Sequence, residues 1–425
     1  MGLDASWQVV GPSPSPSPAA VAVRVGPGEE TDRAALASLT LDELVGRARS
    51  LAPRLQARAA QAEALRRMPD ETIEDFVQSG LLRVFVPERY GGFELDNGPT
   101  QLALGDALGR ACGSSAWIQS VLACHAWIVG MYPQAAQDAV WSDGADTIIA
   151  SAFATDAGRA QPVDGGYLLD GQWQFSSGVH HAKWLVVMFG APGPQGLQLH
   201  YGLVPRTHFD VLDTWYSPGL RATGSSDVHV NQAFVAHEFT INVSLADGRP
   251  TPGSAVNRNH IYRLPLWSVF SYNIGCPALG MARRAVEEYV RQTSARPDKE
   301  LAHGRHARIA ESAADVDAAE ALLLADAAEI TRLGKLGEPI SPETRARWRR
   351  NMSYAVMVWT RAVDRLIASV GAHGMQDDSP MQRAFRDIHA VGNHTGLSWD
   401  NHVPVWGRLS VGLEPINARG VPIPV

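Results

Sequence analysis

From Thr40 onward the apolar positions Leu41, Leu44, Val45, Ala48, Leu51, Leu55, Ala59, Ala62 and Leu65 recur mostly at steps of three and four. That is the period of an amphipathic helix. Thr40 and Glu43 stand at capping-box spacing, where a hydroxyl and a carboxylate satisfy the free N–H groups of a helix start. A second helix is predicted around Ile73, Phe76, Val77 and Leu81, followed by an exit loop through Val86-Pro87 and Tyr90-Gly91-Gly92. Leu102 to Gly109 and Ser115 to Tyr132 resume the helical pattern. The latter is the longest apolar run, but Gln119, Ser120 and His125 interrupt it. A buried helix is therefore expected rather than a membrane span.

From about Ile148 the period shortens to two. Tyr167-Leu168-Leu169 and Gln172-Trp173-Gln174-Phe175 flank Asp170-Gly171, which predicts a hairpin turning at that pair. Leu185 to Phe189, Leu199 to Val204, Phe209 to Leu212 and Asp227 to Val235 read as further short strands. After about His260 the helical period returns, with apolar stripes through Val286 and Tyr289, through Ile309 to Ile330, and through Trp348 to Val370. A last helix is expected near Pro380, since proline is tolerated in a first turn. The fold class expected is α+β: an N-terminal helical domain over 31–147, a central β-barrel or sandwich over 148–255 and a C-terminal antiparallel four-helix bundle over 256–425. The alternating Pro and Ser of Gly11 to Ala20 predict a disordered tail over 1–30.

Composition narrows the chemistry. The 425 residues carry a formal net charge of -7, which argues against nucleic acid as the main partner. The hydrophobic fraction of 45% is enough for a large interior. Cys112, Cys124 and Cys276 form no CxxC pair, so neither a disulfide framework nor a zinc site is expected and a reducing cytoplasm fits. No basic-then-apolar leader pattern opens the chain. Phosphate-cradling glycine motifs, GxSxG and HExxH are absent. The histidine groups His180-His181 and His389/His394/His402 lack the spacing of a helical metal pair, so no metal is expected.

Five segments in order carry a resemblance. They are Ser79 to Gly92, Ala111-Cys112-Gly113-Ser114-Ser115-Ala116-Trp117, Gly171 to Gly178, Gly219-Leu220-Arg221-Ala222-Thr223-Gly224-Ser225, and Gln382 to His389 with Gly407-Arg408-Leu409. Together they resemble the acyl-CoA dehydrogenase superfamily, and more closely its branch of two-component flavin-dependent monooxygenases. The likeness extends from about Asp32 to Pro415. It implies the same three-part fold, assembled as a homotetramer.

The resemblance leaves two reactions to weigh. Dehydrogenases of the superfamily abstract an α-proton with a glutamate. The two positions that match theirs hold Thr395 and the neighbourhood of Phe270, with no Asp or Glu between His260 and Val286. A hydroxyl or a phenyl ring cannot abstract a weakly acidic C–H proton. The monooxygenase branch instead reacts reduced flavin with O₂ to a C4a-hydroperoxide in a pocket that excludes water. The expected function is thus the oxygenase component of a two-component system. It would take reduced FMN, or else reduced FAD, from a separate NAD(P)H:flavin reductase and hydroxylate a small phenolic or polycyclic aromatic substrate. The alternative is an FAD-dependent acyl-CoA dehydrogenase-type desaturase. An inert binding scaffold of the same fold is the third reading.

The resemblance also assigns residues. Ser176, preferred over Ser177, lies where the family places a hydroxyl at the flavin edge, with Trp173 and Phe175 alongside. His394 stands beside the dehydrogenase base position and is expected to manage a proton near neutral pH. His125 is a second catalytic candidate, with a satisfied core histidine as the plainer reading. Arg296 matches a phosphate-contacting arginine, but Pro297-Asp298-Lys299 replaces the Phe-Gly that usually follows, which fits a smaller flavin such as FMN. His373 and Gly374, in Gly371-Ala372-His373-Gly374, resemble a turn that meets the flavin of a neighbouring subunit.

Overall fold

The computed structural model describes residues 39–153, 158–193, 196–243 and 247–416. The tail expected over 1–30 lies outside the described residues. Thr40 caps helix α1 (Leu41–Leu65): its hydroxyl accepts the Glu43 N–H, and the Glu43 carboxylate accepts the Thr40 N–H at 2.8 Å. Helix α2 (Asp70–Gln78) is clamped to α1 by Arg54 and Arg58, which hold the buried Asp75 carboxylate at 2.5 and 2.6 Å. Helices α3 (Asn97–Gly109), α4 (Gly113–Val129) and α5 (Gln134–Val140) complete this part. Every residue of α4 is buried, which is why its pattern lacks a polar face. Among the described residues no helix is long and apolar enough to cross a membrane.

The strands β1 (Ile149–Ala152), β2 (Gly158–Val163), β3 (Gly166–Ser176), β4 (Trp184–Gly193), β5 (Gly196–Pro205), β6 (Phe209–Val211), β7 (Ser226–Ala236) and β8 (Thr240–Asn242) make two four-stranded sheets. Their orders are β1-β4-β5-β8 and β2-β3-β7-β6. The barrel expectation is corrected here: neither sheet closes on itself. Each ends in short edge strands, and the two share one apolar core around Leu169, Trp173, Val187, Phe189, Val204 and Val230.

The predicted hairpin is also displaced. Strand β3 runs through Asp170-Gly171 without turning back, and the turn falls at Asp164-Gly165, where Val163 pairs with Gly166. Both Asp-Gly pairs carry turn chemistry. The second is absorbed as a bulge, with Gly171 at φ +148° and the register slipping between Leu169 and Gly171. Continuing the strand buries Trp173 against the core, which a turn at 170 would forfeit.

Among the described residues six α-helices follow where four were expected: α6 (Leu266–Gly275), α7 (Pro277–Ser294), α8 (His303–Leu336), α9 (Pro342–Ile367), α10 (Pro380–Gly392) and α11 (Trp399–Ser410). Pro380 sits in the first turn of α10, behind a Ser379 cap. Helix α9 packs against α6, α7, α8, α10 and α11 and so forms the centre of this part. The pattern missed α6 because nine of its ten residues are buried, leaving no alternation to read.

Candidate active site

A second bulge, between Trp173 and Ser176, ends β3. It places Phe175 at φ +63°, a conformation costly for a bulky side chain, and leaves its ring 67% exposed and edge-on to Trp215 at 6.5 Å. The buried Asp227 carboxylate holds the bulge by accepting from the Phe175 N–H at 3.4 Å and from Gln172 at 2.9 Å. Ser176 then turns inward, fully buried, and its hydroxyl has no hydrogen-bond partner among the described residues.

Ser177 turns the other way and joins a directed row of hydroxyls. Trp117 on α4 donates its indole N–H to Ser177 Oγ at 3.1 Å. Ser177 and Ser225 lie 2.7 Å apart, as do Ser225 and Thr223, and Thr223 donates to the Leu220 carbonyl at 2.9 Å. A carbonyl only accepts, so the direction propagates backward: Ser225 donates to Thr223, and Ser177 donates to Ser225. Ser177 Oγ, accepting once from Trp117, keeps one lone pair for an outside donor.

The loop bearing Thr223 and Ser225 is fixed from behind. A Cβ at Gly219 would overlap the Arg386 carbonyl of α10, so only glycine lets the loop lie this close. Asp387, also on α10, accepts the Leu220 N–H at 2.7 Å. Burial pushes its carboxyl up to about 6, against the lowering effect of the Leu220 N–H.

The ring of Trp117 lies 5.5 Å from that of His394. His394 caps the short turn Thr395–Leu397, and its Nδ1 accepts the Gly396 N–H at 3.0 Å. The proton of the neutral ring is therefore on Nε2. The protein atoms packed around the ring push its pKa down to about 4, although the residue keeps partial solvent exposure.

His125, buried on α4, has the opposite tautomer. Its Nδ1 donates to the Ile149 carbonyl at 2.7 Å, so Nε2 is unprotonated and accepts from Ser151 Oγ at 2.7 Å. Burial lowers its pKa to about 4, partly opposed by the Ile149 bond. Two residues beyond Ser151, the Phe153 ring lies 4.8 Å from Tyr201, 5.8 Å from Phe270 and 6.2 Å from Trp267. The Tyr201 hydroxyl is buried there with no hydrogen-bond partner among the described residues.

The other expected site residues lie elsewhere. Trp173 is fully buried in the sheet core, with its indole N–H on the Met188 carbonyl at 2.8 Å. Arg296 is exposed after α7 and makes a bidentate pair with Asp298 at 2.8 Å on both arms. His373 is exposed in the connection from α9 to α10, while Gly374 packs tightly on Val370. The histidine groups are engaged separately: His180 with Ser226, His181 with Met68, His389 with Asp364, and His402 with Arg349 and Thr395. Among the described residues no three His, Cys, Asp or Glu side chains are grouped to hold a metal ion.

These surroundings suit a flat conjugated ring system. Phe175 presents a strained, exposed aromatic face, Ser177 an unused acceptor, and His394 an N–H donor. Sequence reasoning missed Trp117, Ser151 and Ser225 as site residues. Trp117 and Ser225 end two of the segments that carried the resemblance, while Ser151 gave no local signal.

The helical–sheet–helical order is the architecture of the acyl-CoA dehydrogenases. Residues 42–143 match the acyl-CoA dehydrogenase N-terminal domain and residues 272–399 the acyl-CoA dehydrogenase C-terminal domain. The chain is 32% identical to the flavin-dependent monooxygenase oxygenase subunit HsaA of Mycobacterium tuberculosis, covering 86% of this chain and 94% of that one. It is also 32% identical to the p-hydroxyphenylacetate 3-hydroxylase oxygenase component of Acinetobacter baumannii, covering 85% and 87%. The crystal structure of 3-HSA hydroxylase from Rhodococcus sp. RHA1 matches with a TM-score of 0.84 at 31% identity, covering 89% and 99%. The chain belongs to the oxygenase components of flavin-dependent monooxygenases built on the acyl-CoA dehydrogenase fold. It is an enzyme that works with reduced flavin from a separate reductase, and the desaturase alternative is not favoured.

Proposed function

We propose that this oxygenase hydroxylates a small phenolic or polycyclic aromatic substrate with reduced FMN and O₂, and that Ser177 rather than Ser176 is the hydroxyl at the flavin edge. The observation that carries the reading is the Trp117 bridge: its N–H holds Ser177, and its ring lies against His394. An alcohol and an imidazole are thus gathered around one indole, and neither is the acid that a desaturating relative needs.

Reduced flavin, when bound, supplies the electrons with which O₂ is activated and one oxygen atom is delivered to the substrate. The protein's own groups divide the remaining work. Ser177 Oγ accepts an N–H through its spare lone pair, because its own proton is committed to Ser225. His394 keeps its one proton on Nε2 and donates a hydrogen bond through it. His125, with Nε2 as acceptor, holds the Ser151 hydroxyl proton and so leaves Ser151 Oγ free to accept a hydrogen bond from a phenolic hydroxyl. The aromatic group of Phe153, Tyr201, Trp267 and Phe270 supports a flat apolar substrate beside that relay. FMN is preferred because Pro297-Asp298-Lys299 follows Arg296 in place of the usual Phe-Gly, and Asp298 holds the Arg296 guanidinium in a bidentate pair.

A homotetramer, with Arg296 or the turn at His373 and Gly374 serving a neighbouring subunit's flavin, completes the proposal. So do the three-domain division, a four-helix bundle within the C-terminal helices and a cytoplasmic location. The test is product analysis with reduced FMN or reduced FAD over a panel of phenols and polycyclic ketones. Ser177→Ala and His394→Ala should each lower hydroxylated product per reduced flavin consumed. The residue roles fail if both variants match the wild type, and the substrate class fails if no aromatic compound in the panel is hydroxylated.

A further inference from the structure

Behind His394 lies a second run of one-way hydrogen bonds. Arg349 on α9 and His402 on α11 are both buried, and Arg349 Nη2 lies 2.7 Å from His402 Nδ1. A guanidinium donates and never accepts, so Nδ1 is the acceptor. Arg349 stays protonated at neutral pH, since burial lowers its pKa only to about 10. Burial and the Arg349 charge hold His402 near 3, so its ring is neutral and carries its one proton on Nε2. That proton is donated to the Thr395 carbonyl at 2.9 Å. Thr395 opens the turn capped by His394, in which Leu397 N–H returns to the His394 carbonyl at 2.8 Å and Gly396 N–H to His394 Nδ1 at 3.0 Å. On its other flank the turn rests on Ile274 of α6.

We infer that Arg349 and His402 form a positioning relay that holds the turn 394–397 and thereby keeps the His394 proton on Nε2. The inference rests on the role given to His394 above. Each link has one direction only: the cation fixes the His402 tautomer, His402 fixes the Thr395 carbonyl, and the held turn keeps the Gly396 N–H on His394 Nδ1. A slack turn would free Nδ1 to take the proton, and His394 would then present an acceptor where a donor is needed. His402 is a positioning residue, since the bonds described for it run to Arg349 and to the Thr395 backbone.

The experiment compares His402→Gln, His402→Leu and His402→Asn. A glutamine can accept from Arg349 through its amide oxygen and donate to Thr395 through its amide nitrogen. Leucine can do neither, and asparagine is too short to span the two. Hydrogen exchange of the peptide spanning 394–398 is read in flavin-free protein, and product per reduced FMN consumed is read separately. His402→Leu should speed exchange in that peptide alone and lower the product yield by up to about 100-fold, the scale of a small misplacement of a reacting group. His402→Gln should restore both readouts. If His402→Leu does not fold, His402→Asn takes its place against His402→Gln, and equal behaviour of those two overturns the relay. Wild-type exchange and yield in His402→Leu, alongside a yield lost in His394→Ala, overturn it as well. A wild-type yield in His394→Ala instead sinks the role of His394, while the exchange readout still decides whether the relay holds the turn.

Discussion

The indole N–H of Trp117 donates to Ser177 Oγ over 3.1 Å while the same ring stands 5.5 Å from the imidazole of His394. One side chain of α4 thus sets the distance between a hydroxyl at the end of β3 and a histidine beyond α10. Trp117→Phe keeps a ring against His394 and deletes the donor. Product per reduced flavin consumed should fall about fivefold, the worth of one hydrogen bond of roughly 1 kcal/mol. Chromatographic product set against released peroxide measures it, and an unchanged ratio would mean that Ser177 is oriented without the indole.

The two adjacent serines should separate cleanly. Ser176 buries a hydroxyl with no partner among the described residues, so Ser176→Ala removes an uncompensated polar group. Stability should hold or rise by up to about 1 kcal/mol, with hydroxylation kept. Ser177→Ala leaves the Trp117 N–H without its acceptor and should lower hydroxylation. Urea unfolding and product yield, measured on both variants, would reverse this assignment if Ser176→Ala were the one to lose product.

Much of this fold was legible in the sequence because its cues are local. The Thr40–Glu43 cap, the steps of three and four along α1 and Pro380 at the start of α10 depend on near neighbours alone. What escaped depends on tertiary context. Asp170-Gly171 and Asp164-Gly165 have equal turn chemistry, and only the burial of Trp173 further along β3 decides between them. Ser176 and Ser177 are adjacent and chemically identical; a bulge that rotates the chain at Phe175 chooses which one meets Trp117. Ser151 became visible only when β1 was laid against α4, and the pairing of Arg349 with His402 required α9 against α11.

The histidine environments predict an acid limb displaced from the ordinary imidazole range. His125 and His394 both have pKa values lowered to about 4 from 6.5. Each ring is neutral in the folded enzyme above pH 4, so the pH–yield profile should stay flat through 6.5 and fall only toward 4. For stability the sign follows from proton counts. Between pH 6.5 and 4 the unfolded chain binds more protons than the folded one, so stability drops as pH falls. For His125, which is fully buried, the loss from pH 7 to pH 5 is about 2 kcal/mol. His125→Asn should remove that share of the pH dependence, as read from urea midpoints at the two pH values. A yield profile with its midpoint at 6.5 would contradict the lowered pKa of both rings.

Asp387 titrates in the opposite sense and supports the loop that carries the hydroxyl row. Its buried carboxyl has a pKa raised from 3.8 to about 6, while Oδ1 accepts the Leu220 N–H at 2.7 Å. Between pH 3.8 and 6 the folded state holds a proton that the unfolded chain has lost, so this group makes stability fall as pH rises through that window. The difference is complete above 6 and amounts to about 3 kcal/mol at most. Asp387→Asn keeps an oxygen for Leu220 and removes the charge. Relative to the wild type, the variant should therefore gain stability between pH 4.5 and 7.5, with hydroxylation retained because the loop stays anchored. Asp387→Ala leaves the Leu220 N–H unpaired, at a cost of about 1–3 kcal/mol, and loosens the loop bearing Thr223 and Ser225. Urea midpoints at both pH values, with product yield for the two variants, test this. A loss of yield in Asp387→Asn equal to that in Asp387→Ala would mean that the charge itself, and not the anchored loop, is what the site needs.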